Sequence, residues 1–153
     1  MIKLSRMADY AVMIMTHISG MTVASNRNEH VLISANDLAN ATKLSDSTVS
    51  KVLKMLTKGG LLVSERGTHG GYRLIRPASE ITVASIVESV DGPIALTDCL
   101  TEFRAKCALE HNCSTKKGWM KINEGVRNAF ISVSLEDLTQ EECYNSKMVN
   151  EPI

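Results

Sequence analysis

Aromatic side chains are scarce in this 153-residue chain, at 4% of the sequence, and eight methionines supply adaptable apolar volume in their place. Net charge is missing too: 17 Lys and Arg balance 17 Asp and Glu, so the whole-chain charge gives no sign of a polyanionic partner. No apolar run approaches the length a bilayer needs, which excludes a membrane-spanning helix. The opening MIKLSRMADYAVMIMTHI has the basic residues of a signal peptide. However, Asp9 interrupts its apolar stretch and no small-residue cleavage site follows, so it is expected to be a helix of a cytoplasmic protein. A Cys-x-x-Cys pair is absent, and no His/Asp relay surrounds any cysteine, which argues against a thiol redox enzyme. The chain is therefore read as a non-enzyme without a small-molecule substrate. Its four cysteines are then free thiols or ligands rather than a disulfide framework. There is no internal repeat and no low-complexity segment.

What is present begins with enough apolar residue, 44%, to bury a core in one domain, or in a small domain with an appendage. Dividing the chain uncovers an asymmetry hidden in the total. Residues 1–80 carry ten Lys and Arg against six Asp and Glu, a net of +4, whereas residues 81–153 carry seven against eleven, a net of −4. A basic first half and an acidic second half suggest that only the first faces a polyanion.

The periodicity predicts a mostly α chain with one small β-hairpin. Ser5 caps a first helix running to about Ser19, with Ala8, Ala11, Val12, Met15 and Ile18 on one stripe; 21–29 reads as a loop. Ser34-x-x-Asp37 opens a short helix to Thr42. After the tight connection Lys43-Leu44-Ser45, a helix starting at Ser45 or Ser47 buries Val49, Val52, Leu53 and Leu56 and stops at Gly59-Gly60. Short strands at 61–65 and 72–75 flank the glycine-rich turn 66–71. Thr82 begins another helix, with Val83, Ile86, Val87 and Val90 inward, stopped by Asp91-Gly92-Pro93. From about Thr115, a longer helix repeats Trp119, Ile122, Val126, Ala129, Phe130 and Val133 in steps of three and four, the spacing of a packing seam. A short LEDL turn and a polar tail follow.

Helix, tight turn, helix and glycine-rich hairpin is the order of a winged helix-turn-helix. With the apolar stripe of the second helix buried, Ser47, Thr48, Ser50, Lys51 and Lys54 point outward. Small hydroxyls and lysines suit base edges and phosphates in a major groove, and the free amides at 45–48 form a phosphate-binding end. Arg66 and His69 occupy the hairpin tip, where an arginine can enter a narrow minor groove. Taken singly, such lysines are ordinary solvated side chains; the combination carries the DNA-binding reading. The rival of another class is a winged-helix protein–protein module with structural zinc.

Cys99, Cys107 and Cys113 share one irregular segment, with seven residues between the first pair and five between the second. That is not the two-residue spacing of a zinc knuckle. A wide, loop-borne set suits a larger inorganic centre, with His111 or Glu110 near enough in sequence to complete it. A thiol switch and inert thiols are the alternatives, although Thr101, Glu102, Arg104, Lys106 and Asn112 make the segment too polar to bury cysteine as a small hydrophobe. Cys143 stands apart in the tail.

The opening LSRMADYAVMIM, the helix pair LANATKLSDSTVSKVLKMLTKGGLL, the wing RGTHGGYRL, the stretch ITVASIVESVDGP and the three cysteines together resemble the Rrf2 family of bacterial regulators, nearly throughout to about Leu138. The family includes the IscR and NsrR proteins. DGPIALTDC, CALEHNC and GWMKINEGVRNAF are most similar to its branch of Suf iron–sulfur assembly regulators. The resemblance implies homodimers in which a long carboxy-terminal helix crosses its partner, and an iron–sulfur cluster, 2Fe–2S or 4Fe–4S, on Cys99, Cys107 and Cys113. Asp9 falls where NsrR-like members place an acidic ligand to the other subunit's cluster; its plain alternative is an aspartate near a helix start. IscR-like members use a histidine three residues past the last cysteine, and here that position is Lys116.

The expectation is thus a cytoplasmic homodimer reading a palindromic double-stranded operator, with recognition helices roughly 34 Å apart. Its parts are a winged helix-turn-helix domain at 1–92, a cysteine-bearing loop at 93–114, a dimerisation helix with its following turn at 115–138, and a flexible tail at 139–153. The expected function is cluster-dependent transcriptional regulation of iron–sulfur assembly genes, with a thiol- or nitric-oxide-responsive repressor of the same fold as the alternative.

Overall fold

The computed structural model describes residues 3–24, 31–100 and 113–140; Cys107, Glu110, His111 and Cys143 lie outside them. Helix α1 (Arg6–Ala24) starts where Ser5 Oγ accepts the Ala8 N–H at 3.0 Å. It buries Ala8, Ala11, Ile14, Met15 and Ile18. The expected stop at Ser19 is overtaken by five residues. Ser19 is buried, Gly20 lies against the Thr139 side chain, and Thr22 Oγ1 donates to the Ile18 carbonyl within the helix. Tertiary packing extends a helix that local polarity alone would end.

Helices α2 (Ala35–Thr42) and α3 (Asp46–Lys58) are set by their caps. Ser34 Oγ accepts the Asp37 N–H at 3.1 Å, and Ser45 Oγ accepts the Thr48 N–H at 3.4 Å. Between them Lys43 adopts φ 59°, the left-handed conformation that turns the chain sharply between helices. Val49, Val52, Leu53 and Leu56 of α3 are all fully buried, as their spacing predicts. Gly59 ends the helix, its N–H reaching the Met55 carbonyl at 2.8 Å.

Strands β1 (Leu62–Glu65) and β2 (Gly71–Leu74) pair antiparallel, with Leu62 opposite Leu74 and Glu65 opposite Gly71. Compared with the expected spans, β1 starts one residue later and β2 is moved one residue earlier at both ends. Tyr72 exchanges two backbone hydrogen bonds with Ile33, of 3.0 and 2.9 Å, so the approach to α2 acts as a third strand. Gly71 is required there, since a Cβ would stand 2.7 Å from the Ile33 carbonyl oxygen.

Helix α4 (Val83–Asp91), capped by Thr82, buries Ala84, Ile86 and Val87; Val83 and Val90 are half-buried rather than inward. A contiguous apolar core runs through α1, α2, α3, the hairpin and α4. Helix α5 (Lys116–Ile131) contributes no buried residue to it. Past α5 the chain returns to the body. The Val133 carbonyl accepts the Val83 N–H, Leu135 N–H donates to the Ile81 carbonyl at 2.7 Å, and the Leu135 side chain is fully buried. A helical turn over 135–140 is opened by Ser134 and Asp137, each side chain meeting the other's backbone N–H. The result is a mostly α winged helix-turn-helix with one hairpin, followed by a separate helix near the carboxy end.

Candidate functional site

The outward side of α3 is a polar strip. Ser47, Ser50, Lys51 and Lys54 are exposed. Thr48 differs from the sequence expectation: it is half-buried, and its Oγ1 lies 2.8 Å from Ser45 Oγ, which also meets Ser47 Oγ at 3.2 Å. The three hydroxyls cluster at the amino end of α3, beside amides not used within the helix, an arrangement suited to phosphate. Lys51 and Lys54 continue the strip by one turn.

The wing is braced rather than loose. Arg73 Nε donates to Glu65 Oε1 at 3.0 Å across the two strands. The turn closes through the Gly70 N–H to the Gly67 carbonyl, and Gly67 has φ 128°. Gly70 is equally constrained, because a Cβ would sit 2.3 Å from the Glu65 carbonyl oxygen. These close approaches push Arg66 and His69 out at the tip, both exposed. The hairpin thus brings Arg66 and His69 together, on an element separate from the α3 strip.

Of the expected ligands, Cys99 and Cys113 are free and half-buried. Cys99 lies in the short 3₁₀ turn Asp98–Leu100, its sulfur 3.2 Å from Thr97 Oγ1. Cys113 precedes α5, with its sulfur 3.4 Å from Thr115 Oγ1. Hydrogen bonding from the Thr115 hydroxyl, aided by backbone amides and the Lys116 charge, holds the Cys113 thiol below its ordinary pKa and favours thiolate. Asp9 is exposed on the first turn of α1. Among the described residues no three His, Cys, Asp or Glu side chains converge on one point, so Asp9 is not gathered with these two cysteines within one chain.

Sequence reasoning missed how the cysteine arm is fastened. Asn123 Oδ1 accepts the Leu96 N–H at 2.9 Å, and its Nδ2 donates to the Ile94 carbonyl at 3.0 Å. One helical turn on, Arg127 grips Glu88 of α4 through Nε at 2.7 Å and a second nitrogen at 3.2 Å. That fork holds the Glu88 carboxyl below the usual carboxylate range, against the opposing effect of partial burial. Neither pair has a sequence signature, since 27 to 39 residues separate the partners. Elsewhere on α5, Trp119, Met120, Ile122 and Ile131 are exposed apolar side chains. No helix is long and apolar enough to cross a membrane among the described residues.

Residues 4–141 match the Rrf2 family model, described as an iron-dependent transcriptional regulator. The chain is 26% identical over 139 residues to the HTH-type transcriptional regulator NsrR of Oceanobacillus iheyensis, covering 91% of this chain and 90% of that protein. It is 32% identical over 106 residues to the regulator IscR of Photorhabdus laumondii, covering 69% of this chain and 63% of that one. Among solved structures, CymR, the global cysteine regulator of B. subtilis, superposes with a TM-score of 0.70 at 26% identity, over 92% of this chain and 98% of that chain. IscR of T. potens shares the fold, with a TM-score of 0.65 at 22% identity, over 99% of this chain and 93% of that one. The winged body and these likenesses together place the chain in the Rrf2 family, as a DNA-binding transcriptional regulator and not an enzyme.

Proposed function

We propose that this regulator is a homodimer whose affinity for a palindromic operator is set by an iron–sulfur cluster, and that its targets are iron–sulfur assembly genes. The observation that carries the reading is the state of the two described cysteines. Both are free and hydroxyl-bonded, one is biased towards thiolate, and they bracket the segment between the DNA-reading body and α5. That donor chemistry fits iron. Cys99, Cys107 and Cys113 would hold the cluster, with Asp9 reaching it from the other subunit. Its bound and lost states supply a redox- and supply-sensitive link between the sulfurs. NsrR, IscR and the family's description as iron-dependent support this reading.

For DNA, Ser47, Thr48, Ser50, Lys51 and Lys54 would enter the major groove while Arg66 and His69 follow the neighbouring minor groove. The exposed seam of α5 would pack against its counterpart. Protein purified without oxygen should contain iron and sulfide and absorb visible light, with both lost in Cys107→Ala. A colourless protein that regulates normally would overturn the reading.

The lowered pKa of Cys113 also favours a second reading, a thiol-responsive repressor without metal, in keeping with the likeness to a cysteine regulator. Peroxide-dependent loss of DNA binding in iron-free protein, abolished by Cys113→Ser, would select it.

A further inference from the structure

We propose that Asn123 is the positioning residue that makes the DNA-reading body respond to the state of Cys99; this rests on the cysteine-centred reading above and names its relay. Helix α4 ends at Gly92, with φ 82°, and the chain then runs out through Ile94 and Leu96 to Cys99. The Asn123 side-chain amide offers this arm what a neighbouring strand would, one acceptor for the Leu96 N–H and one donor for the Ile94 carbonyl. The arm is thereby pinned to α5 within three residues of Cys99. Arg127, on the same stripe of α5, holds Glu88 on the other side of the Gly92 bend. Helix α5 therefore clasps both the end of α4 and the arm leaving it.

The next contact leads to the DNA. Ser89 follows Glu88, and a Cβ at Gly59 would lie only 2.5 Å from the Ser89 Cβ. Gly59 is the cap of α3, so the recognition helix rests on α4 beside the residue that Arg127 grips. From Cys99 to α3 the route runs along the chain to Leu96, across to Asn123, down α5 to Arg127, across to Glu88 and through Ser89 to Gly59, and Asn123 is its first joint. Through that joint a displacement at Cys99 bears on α5 beside the residue that grips α4; without it, the arm shifts free of this part of α5. Such coupling is mutual by thermodynamic necessity.

The test uses the full chain prepared without oxygen, reconstituted with iron and sulfide, and a DNA duplex selected from a randomised pool. The readout is the ratio of DNA affinities between the iron-loaded and iron-free forms. In Asn123→Ala this ratio should shrink about tenfold towards one, the size of an ordinary coupling, while iron content per chain stays that of the parent. Should Asn123→Ala fail to fold, Asn123→Asp decides, since it keeps the volume and the Leu96 acceptor but loses the donor to Ile94. An unchanged ratio overturns the proposal, and so does a loss of iron in the variants or a parent ratio of one. If the parent takes up no iron, the iron–sulfur reading fails separately. The clasp is then judged by alkylating Cys99 with Cys107, Cys113 and Cys143 replaced by serine. A change in DNA affinity that Asn123→Ala abolishes supports it; an equal change, or none in either background, overturns it.

Discussion

The winged body and α5 are stabilised by opposite means. In the body, α1, α3, the hairpin and α4 share a core in which Ile14, Met15, Leu53, Leu56 and Ile86 have no exposed surface. Helix α5 has no fully buried residue, leaves Trp119 about 40% and Ile122 about 51% exposed, and is fastened to the body by the side chains of Asn123 and Arg127. A helix of sixteen residues gains little from its own backbone in water. The body closes its core within one chain, whereas α5 leaves its apolar seam open and is positioned by polar contacts, as the dimer proposed above would require.

Four substitutions and one titration test that contrast. Leu53→Ala, in the centre of the body, should cost about 2–5 kcal/mol, read from the denaturation midpoint, and abolish DNA binding. Gly59→Ala places a methyl group against Ser89 and should cost about 1–3 kcal/mol in the same measurement, with weakened DNA binding, because α3 must shift off α4. Ile122→Asp should leave the body's near-ultraviolet circular dichroism unchanged while ultracentrifugation shows lost self-association. An equal loss of body structure would break the contrast. Lys51→Ala should weaken DNA binding across all sequences and lower the slope of log affinity against log salt by about one, with stability unaffected. The smallest effect is on acidification. The folded-state pKa of Glu88 is depressed, so the stability its pairing contributes is present above the unfolded value near 4.5 and is lost as pH falls through the lower folded value. The α4–α5 link should loosen there before the body unfolds, with hydrogen exchange at Leu96 as the probe.

How much of this was legible in the sequence follows the same division. The α3 stripe and the caps Ser34 and Thr82 could be read directly, because period and hydrogen-bonding chemistry are local, whereas the sequence leaves the start of α3 between Ser45 and Ser47 and it proves to be Ser45. The end of α1 could not, since the helix continues past a buried Ser19 and a Gly20 that lies against Thr139, a contact remote in sequence. Thr48 was expected outward; its place beside the cap hydroxyl turned it partly inward. The α5 seam was legible as apolar spacing, but that pattern alone does not distinguish a helix buried in its own chain from one left open. Asn123, Glu88 and Arg127 carried no signal at all. Single polar residues pair across long separations without any period to betray them.

The bond between Ile33 and Tyr72 has a consequence for how this protein can be tuned. By sewing the base of the wing to the approach of α2, it casts the recognition helix and the hairpin tip as teeth of one key. Neither tooth can be re-cut by a signal without breaking the blade. In the homodimer proposed above, a signal would then act by turning two whole keys relative to each other, and operators with altered half-site spacing should discriminate its states more sharply than operators with altered bases.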